Sequence, residues 1–302
     1  MKKILIFCAA ISLGVFTVSC TTEKTQSPSQ PNKIVEEQEK RVLISSPVVD
    51  VHKTSSNKSE KVTQALYGET VSIMEELGEW AKISLPQQYD YSGWVEKKHL
   101  KNTVLTNSAQ SKIITSAKAA IYKLPSSESD VIKLLPLGTV VNSGESDSNK
   151  EFTSVSLLDG STGFVTANQV KDFKYETKVV KADAIIDTAK QLIGVPYLWG
   201  GMTNHGVDCS GFTHTVFKVN GIKLHRDADQ QYASDGISVD IKNLAPGDLL
   251  FFSTYKPGPS HEGIYVGEGK FIHSSSSQGV GYSSLTDSFY RKKFIGAKRV
   301  LS

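Results

Sequence analysis

An internal repeat with a period of 70 residues constrains the fold of this chain more than any other feature. Three blocks recur at that spacing: Val51-His52-Lys53 with Ile121-Tyr122-Lys123, Gly68-Glu69-Thr70-Val71 with Gly138-Thr139-Val140-Val141, and Gly93-Trp94-Val95 with Gly163-Phe164-Val165. Both copies consist of short β-rich runs separated by Gly, Pro, Asn and Ser turns, which is the pattern of a small barrel. Two copies are too few for a solenoid. The sequence therefore predicts two small all-β barrels, residues 41–102 and 111–172.

The N-terminal residues 1–19 have the features of a targeting segment. Two lysines precede an apolar run from Ile4 to Val18 that is too short for a stable membrane-spanning helix. A small residue before Cys20 and a polar tract after it resemble a bacterial lipoprotein signal, which implies cleavage before Cys20 and lipid on its thiol. An ordinary secretory signal with a chance cysteine is the alternative. Residues 20–40 lack apolar periodicity and predict a disordered tether.

The composition limits the partners that this chain can have. Its formal charge of +3 includes two lysines of the targeting segment, so no basic footprint for nucleic acid is visible. The residues after Cys20 give no strong retention signal for the inner membrane. We therefore expect a protein held by lipid at the outer membrane and facing the periplasm. The sequence does not indicate an oligomeric state.

From residue 178 to the end, the pattern predicts an α+β domain. Apolar residues at helical spacing occupy 182–192 and 212–219, and a third short helix is expected after His225. Strand-like runs follow at 248–253, 263–266, 270–273 and 294–300. Helices followed by an antiparallel sheet are typical of an α+β fold.

Cys209 is the candidate nucleophile of this domain. It directly precedes the predicted second helix, where unpaired N–H groups and the helix dipole favour a thiolate. Cys8 lies in the targeting segment and Cys20 would carry lipid, so Cys209 has no disulfide partner. An unpaired cysteine in an exported protein indicates reactivity. A lone thiol with scattered histidines provides no zinc site, and no metal or other cofactor is expected.

Two histidines are placed to assist Cys209. His261 begins one predicted strand and His273 ends the next, so pairing of these strands as a hairpin would bring the side chains together. His261 would accept the thiol proton, or hold it as an imidazolium beside the thiolate, and His273 would orient the His261 ring. The Cys209 backbone N–H is a natural oxyanion donor. His214 is an alternative base, but five residues along a helix its side chain diverges from that of Cys209.

Six sequence blocks resemble the NlpC-type cell-wall peptidases, which are papain-like cysteine hydrolases of peptidoglycan peptides. The blocks are Tyr197-Leu198-Trp199-Gly200-Gly201, Asp208-Cys209-Ser210-Gly211-Phe212, Arg226-Asp227, Pro246-Gly247-Asp248-Leu249-Leu250-Phe251-Phe252, His261-Glu262-Gly263-Ile264-Tyr265-Val266-Gly267 and Phe271-Ile272-His273. The barrel copies resemble bacterial SH3-like domains, although the second has Phe164 where the usual pattern has tryptophan. Two such domains before the peptidase resemble the γ-D-glutamyl-L-diamino-acid endopeptidases, which cut stem peptides with a free N-terminal L-alanine.

The resemblance implies roles for further residues. It implies that Tyr197 is a second oxyanion donor and that Asp208 and Ser210 bind the free amine of the substrate, although Asp208 could instead cap the helix of Cys209. It also places Arg226 and Asp227 near the cleft, where Arg226 would pair with a substrate carboxylate or with a neighbouring acid.

The barrels allow two interpretations, spacer or ligand-binding module. Tyr91 and Glu69 in the first barrel are its candidate ligand contacts, and Tyr91 could instead cover the barrel. Two barrels packed over one side of the cleft would restrict entry to short peptides. A catalytically inactive wall-binding lipoprotein and an amidase or acyltransferase on the same scaffold are the alternative functions.

Overall fold

The computed structural model describes residues 40–104, 110–144, 150–175 and 180–301. The predicted targeting segment, Cys20 and nearly all of the predicted tether lie outside the described residues. Within the described ranges, no helix has the length and apolar character needed to cross a membrane.

The first barrel is a seven-stranded antiparallel sheet. Its strands are β1 (Lys40–Ile44), β2 (Val48–His52), β3 (Lys61–Leu66), β4 (Thr70–Leu77), β5 (Trp80–Leu85), β6 (Tyr91–Glu96) and β7 (Leu100–Val104), in the spatial order β3-β2-β6-β5-β4-β1-β7. Short 3₁₀ turns at Pro86–Gln88 and Lys97–His99 link the later strands. Alternate aliphatic side chains such as Val51, Ile83 and Val95 fill its interior, as expected for a small closed sheet.

The second barrel repeats this topology. Its strands are β8 (Ser111–Ile114), β9 (Lys118–Tyr122), β10 (Val131–Pro136), β11 (Val140–Ser143), β12 (Phe152–Ser156), β13 (Thr162–Thr166) and β14 (Val170–Asp172), with a 3₁₀ turn at Ala167–Gln169. The order β10-β9-β13-β12-β11-β8-β14 equals that of the first barrel when each strand is advanced by seven. The 70-residue sequence period thus corresponds to one complete barrel.

The third part of the chain has an α+β architecture. Its elements are α1 (Ala182–Lys190), β15 (Met202–Thr203), β16 (Gly206–Val207), α2 (Cys209–Val219), α3 (Ala228–Ser234), β17 (Ile237–Val239), β18 (Leu249–Phe252), β19 (His261–Gly267), β20 (Lys270–Ser275), β21 (Gly279–Ser284), α4 (Ser288–Lys293) and β22 (Phe294–Arg299), with a 3₁₀ turn at Ile241–Asn243. The main sheet is antiparallel in the order β17-β22-β18-β19-β20-β21. Strand β21 and helix α4 are absent from the sequence prediction.

Helix α2 is the central element of this domain because every one of its residues is buried. Its apolar side chains, among them Phe212 and Val216, share a core with Ile264 and Ile272 of the sheet. Full burial of such side chains contributes about 1.5–3 kcal/mol each. The first residue of α2 is therefore held rigidly against strand β19.

The two barrels contact the α+β domain in different places. The second barrel contributes Ile113 and Leu137 to the core around α2. The first barrel lies beside the N-terminal end of α2, where Gly200 has φ +70° and a Cβ there would lie 2.7 Å from the Lys61 carbonyl oxygen. Only glycine permits that approach. Among the described residues, the first barrel contributes to the lining of the cleft and the second barrel does not. The expectation that both barrels cover one side of the cleft is therefore wrong.

Candidate active site

A cleft of about 300 Å³ lies between the first barrel and the N-terminal end of α2. Strand β16 and the turn before α2 bring Asp208, Cys209 and Ser210 to its floor, and Tyr197 lies nearby. The barrel supplies four further residues, namely Lys53, Glu60, Val62 and Tyr91. The remaining wall comes from the α3 region and the loop before β19. The cleft is thus a composite of two domains.

Cys209 is the first residue of α2, and its side chain is almost completely buried. Burial raises the pKa of its thiol well above the ordinary value, and the neighbouring carboxyl groups of Asp208 and Glu262 raise it further. A hydrogen bond from the Glu262 backbone N–H to the sulfur and the charge of Arg226 oppose this shift. Burial thus outweighs the helix terminus and favours the thiol, which is one of the two resting forms expected for Cys209.

His261 and His273 form a hydrogen-bonded pair with 2.7 Å between Nε2 of His261 and Nδ1 of His273. Ile264 pairs with Ile272 across the two strands, which puts His273 opposite Gly263 and diagonal to His261. A Cβ at residue 263 would lie 2.8 Å from the Cβ of His273, so the glycine makes room for the imidazole. The sheet register thus sets the geometry of the pair.

Both imidazoles are neutral near pH 7. Burial lowers the pKa of His261 to about 4. Burial, followed by the charge of His261, lowers the pKa of His273 to about 3. A neutral ring can accept a proton, so this environment favours general-base action over a standing imidazolium–thiolate pair.

The hydrogen bonds of His273 indicate which nitrogens carry protons. Its Nε2 lies 2.9 Å from Ser283 Oγ and 3.3 Å from the amide nitrogen of Gln278. Ser283 also interacts with the hydroxyl of Tyr290, an interaction that acts to lower the pKa of that phenol while burial raises it. The Gln278 amide nitrogen can only donate, so its contact would require Nε2 of His273 to be an acceptor, but the 2.9 Å contact with Ser283 is the shorter of the two. When His273 donates from Nε2 to Ser283, its Nδ1 accepts from His261 Nε2–H, and Nδ1 of His261 remains free to act as a base. Sequence reasoning missed Ser283 and Tyr290, because neither belongs to a recognisable motif.

Asp208 and Arg226 form a buried bidentate ion pair on the floor of the cleft. The two guanidinium–carboxylate distances are 3.1 and 2.8 Å. The same carboxylate accepts from the backbone N–H groups of Gly211 and Gly200. These four donors within 3.1 Å, with a longer contact from Ser210 Oγ at 3.4 Å, fill its acceptor positions. Asp208 therefore caps α2 and also lines the cleft. Arg226 is fully buried and pairs with this neighbouring acid, which is the second of the two roles considered for it.

The guanidinium of Arg226 also links the domains. Its Nε donates to Thr63 Oγ1 of the first barrel at 2.8 Å, and its Nη1 donates to Ser210 Oγ at 2.9 Å. Burial would lower the pKa of this guanidinium, but Asp208 raises it above the ordinary value. Arg226 is accordingly a positioning residue for Asp208 and Ser210.

Tyr91 and Asp227 meet across the domain boundary, where the tyrosine hydroxyl donates to Asp227 Oδ2 at 3.0 Å. Both line the cleft. Burial raises the pKa of Asp227, although Arg226 opposes that change. Tyr197 lines the same cleft, and burial together with the Cys209 charge raises the pKa of its phenol. Its hydroxyl is therefore a neutral donor near the sulfur.

Two exposed aromatic side chains of the cleft were not predicted as site residues. Trp199 and Tyr255 meet edge to face with ring centroids 5.9 Å apart. The Trp199 indole donates to Glu60 Oε1 at 3.0 Å, so Glu60 is a third contact that the sequence did not reveal. Trp199 was part of a recognised block, but Glu60 and Tyr255 carry no local signal.

Glu69 does not line this cleft. It is buried and accepts from Lys218 Nζ of α2 at 2.6 Å and from the backbone N–H of Leu66 at 3.0 Å. The acidic turn of the first barrel therefore forms an interdomain ion pair.

His214 is not placed to be the base. Its ring is buried, and its Nδ1 lies 3.4 Å from the carbonyl oxygen of His225. Burial lowers its pKa to about 3. Because His214 lies five residues after Cys209 on α2, the two side chains diverge.

Comparisons with known proteins identify the families to which two parts of the chain are similar. Residues 194–299 match the NlpC/P60 family and residues 47–101 match the bacterial SH3 domain. A γ-D-glutamyl-L-lysine dipeptidyl-peptidase of Bacillus subtilis (strain 168) is 33% identical over 253 residues, which cover 80% of this chain and 81% of the relative. The chain belongs to the NlpC/P60 family.

Two further comparisons support this membership. A dipeptidyl-peptidase of the same name from Bacillus cereus (strain ATCC 10987 / NRS 248) is 31% identical over 267 residues, covering 82% of this chain and 77% of the relative. The crystal structure of an NlpC/P60 family protein from Bacillus cereus ATCC 10987 superposes with a TM-score of 0.72 at 25% identity, covering 87% of this chain and 100% of that one. The expected fold class, an α+β catalytic domain behind SH3-like barrels, and the expected enzyme class, a cysteine hydrolase, are confirmed.

Proposed function

We propose that this protein is a cysteine endopeptidase that hydrolyses the γ-D-glutamyl-L-diamino acid bond of peptidoglycan stem peptides with a free N-terminal L-alanine. The observation that carries the proposal is the composite cleft, in which the thiol of Cys209 faces acidic side chains supplied by both domains. Relatives named γ-D-glutamyl-L-lysine dipeptidyl-peptidases support the choice of bond. The proposed substrates are the stem peptides or muropeptides of wall turnover or recycling that contain this bond.

The catalytic step follows from the resting proton arrangement. His261 takes the proton of Cys209 as the sulfur attacks the γ-carbonyl carbon, and His273 steadies the resulting imidazolium. The backbone N–H of Cys209, unpaired in the first turn of the helix, and the hydroxyl of Tyr197 stabilise the oxyanion. Collapse of the tetrahedral intermediate transfers the proton to the leaving amine and leaves a thioester. Water then releases the dipeptide.

The charges in the cleft support recognition of a free amine. Four acids, Glu60, Asp208, Asp227 and Asp229, line it together with two lysines, Lys53 and Lys256. An ammonium group gains most from carboxylate oxygens that are not already paired. The lysines are suited to the carboxylates of the substrate.

Within this group, the amine has a preferred set of partners. The Asp208 carboxylate already accepts from four donors, so Asp208 and Ser210 shape the floor beneath the amine. Asp227, with Tyr91 on its other side, has a half-exposed carboxylate that can accept from it directly. This refines the roles expected for Asp208 and Ser210.

The cellular location belongs to the same proposal. Peptidoglycan-cleaving relatives support an extracytoplasmic site of action. We infer that the chain is cleaved before Cys20, that lipid on Cys20 holds it at the outer membrane facing the periplasm, and that residues 20–40 tether the three domains, 41–102, 111–172 and 178–302. Metabolic labelling with a fatty acid should mark the wild type and leave Cys20→Ala unlabelled.

Mass spectrometry of peptide products tests the catalytic proposal. The full chain, solubilised in detergent, is incubated with L-Ala-γ-D-Glu-diaminopimelate and with its N-acetylated form, beside Cys209→Ala. Release of L-Ala-D-Glu from the free peptide by the wild type alone is the expected result. Cleavage of both peptides would remove the requirement for a free amine. A wild type that cleaves neither, although correctly folded, would favour the inactive wall-binding protein or the amidase or acyltransferase alternative.

A further inference from the structure

A buried carboxyl group with no assigned role lies next to the nucleophile. Glu262 is fully buried in β19, between His261 and the glycine that makes room for His273. Its backbone N–H bonds to the sulfur of Cys209. Its side chain points toward α2, where Oε1 lies 2.5 Å from Thr213 Oγ1.

The Thr213 hydroxyl has more oxygen atoms within hydrogen-bond distance than it has protons to donate. The Thr213 hydroxyl lies within hydrogen-bond distance of three oxygens: the Ser210 carbonyl at 2.9 Å, Gln231 Oε1 at 3.2 Å and Glu262 Oε1 at 2.5 Å. The Gln231 amide nitrogen donates to the carbonyls of Ser210 and His225, which turns its oxygen toward Thr213. A hydroxyl has one proton to donate. If Glu262 is ionised, two of the three contacts have no proton.

A proton on Glu262 resolves most of this deficit. The carboxyl then donates to Thr213, and the Thr213 hydroxyl donates to the Ser210 carbonyl in the first turn of α2. The other carboxyl oxygen, Oε2, is buried and has no hydrogen-bond partner among the described residues. An ionised carboxylate with such an oxygen is expensive in a dry interior, whereas a neutral acid tolerates it better.

The surroundings of Glu262 also favour the neutral acid. The acids Asp208 and Asp235 act against its ionisation, whereas the hydrogen bond with Thr213 and the charge of Arg226 act in its favour. Its strand neighbour on β18 is Phe251, which carries no charge. Burial is the largest influence, and the pKa of Glu262 rises to about 8.

We propose that Glu262 is a positioning residue that works as a neutral acid, fixing the first turn of α2 through Thr213 and keeping negative charge away from the sulfur of Cys209. The inference rests on the proposed role of Cys209 as nucleophile. Ionisation of Glu262 at alkaline pH would place a negative charge beside the sulfur of Cys209. That charge raises the pKa of the thiol and so disfavours the thiolate.

Alkylation of Cys209 by iodoacetamide tests this directly, because it needs no peptide substrate. The full chain in detergent is labelled between pH 6.5 and pH 9.5, and the peptide containing Cys209 is quantified by mass spectrometry. Glu262→Gln preserves the donor to Thr213 but cannot ionise. We expect wild type and Glu262→Gln to react at the same rate at pH 6.5, and Glu262→Gln to react about ten-fold faster at pH 9.5, equivalent to a shift of one pKa unit. Glu268→Gln, an equal charge change at an exposed turn, should match the wild type throughout.

Two results would overturn the proposal. Superimposable profiles for wild type and Glu262→Gln would show that the carboxyl charge does not reach the sulfur. Slower alkylation of Glu262→Gln at pH 6.5, with an unchanged melting temperature, would show that the ionised form is the working one. If the alkylation prediction holds while the wild type cleaves no stem peptide, the proposed substrate fails and the inference about Glu262 stands.

Glu262→Leu separates the donor from the charge. It removes both, so kcat at pH 6.5 should fall about ten-fold while Glu262→Gln retains the wild-type value. Equal kcat for the two variants, with both folded, would contradict the positioning role.

Discussion

At the scale of single residues, the proton order of the histidine pair depends on Ser283. Its hydroxyl lies 2.9 Å from Nε2 of His273 and can accept from that nitrogen. This direction leaves Nδ1 of His273 as an acceptor for His261. Removing the hydroxyl should let the tautomers mix and lower the fraction of His261 with a free Nδ1. We expect Ser283→Ala to reduce kcat about ten-fold with little change in KM. Ser276→Ala, at an exposed position on the same hairpin, is the control, and an unchanged kcat for Ser283→Ala would refute this proton order.

Asp227 and Asp208 are both acids of the cleft, but their replacement should have different consequences. Asp227→Asn removes a half-exposed acceptor, so KM for a free-amine peptide should rise about ten-fold, in line with ~1.5–3 kcal/mol for a hydrogen bond to a charged group. Asp208→Asn instead leaves Arg226 buried without its charge partner and should lower the melting temperature markedly. Steady-state kinetics and thermal unfolding of the two variants distinguish these effects. The same rise in KM and the same fall in melting temperature in both variants would contradict the separate roles of Asp227 and Asp208.

Residue types and motifs predicted the reacting groups better than they predicted the residues that surround and orient those groups. Cys209 and the two histidines stand in recognisable blocks, whereas Glu60, Tyr255 and Ser283 come from separate elements and carry no local signal. The sequence left two resting forms of Cys209 open. A helix terminus can be read from sequence, but the burial that outweighs it depends on packing.

At the scale of elements, Lys218 of α2 and Glu69 of the first barrel form an ion pair with both side chains almost fully buried. Burial would lower the pKa of Lys218, but Glu69 and Tyr175 raise it overall. Lys218→Met leaves Glu69 with a buried, uncompensated charge, so the free energy of unfolding should fall by about 3–5 kcal/mol. The double variant Glu69→Leu/Lys218→Met should recover most of the loss. Chemical denaturation of both variants measures this, and a double variant as unstable as the single one would show that the pair contributes more than mutual compensation.

The elements themselves were predicted unevenly. Helix α2 and strands β18, β19 and β20 carry clear apolar patterns, and all are present. Strand β21 is rich in Gly and Ser, and its extended form depends on a six-residue pairing with β20. The separate positions of the two barrels could not be predicted, because nothing in the 70-residue repeat distinguishes the face that meets the cleft from the face that meets the core.

At the scale of the whole molecule, the cleft exists only where the domains meet. Thr63 bonds to Arg226 and Met202, Tyr91 bonds to Asp227, and Tyr89 stacks on His225 with ring centroids 4.0 Å apart. The first barrel therefore supplies part of the substrate site as well as support for it. Because the first barrel lies close to the sulfur of Cys209, the cleft favours the end of a substrate peptide over the middle of a cross-linked one. This agrees with a substrate that has a free amine.

The stability of the whole molecule should depend strongly on acid. The buried rings of His214, His261 and His273 have pKa values lowered to about 3, 4 and 3, whereas an unfolded histidine titrates near ~6.5. As pH falls below this value the unfolded chain binds protons that the folded chain cannot, and each group costs up to about 1.4 kcal/mol of unfolding free energy per pH unit. Glu262 acts in the opposite direction, since its pKa is raised to about 8 and folding gains from its protonation as pH falls toward ~4.5.

Between pH 6.5 and pH 5.5 each of the three unfolded histidines takes up about 0.7 of a proton that the folded ring does not, and the one glutamate offsets about one proton. The net loss over this interval should therefore be about 1.3 protons, or about 1.7 kcal/mol. Urea denaturation at pH 7.5, 6.5 and 5.5 measures it. His214→Gln lies outside the cleft and removes one titrating group, so its unfolding free energy should fall less steeply over the same interval. A wild type whose unfolding free energy stays constant from pH 6.5 to 5.5 would show that the buried histidines become protonated without unfolding. In that case the cleft opens to water in acid, and the neutral base required for the attack of Cys209 would be lost before the fold.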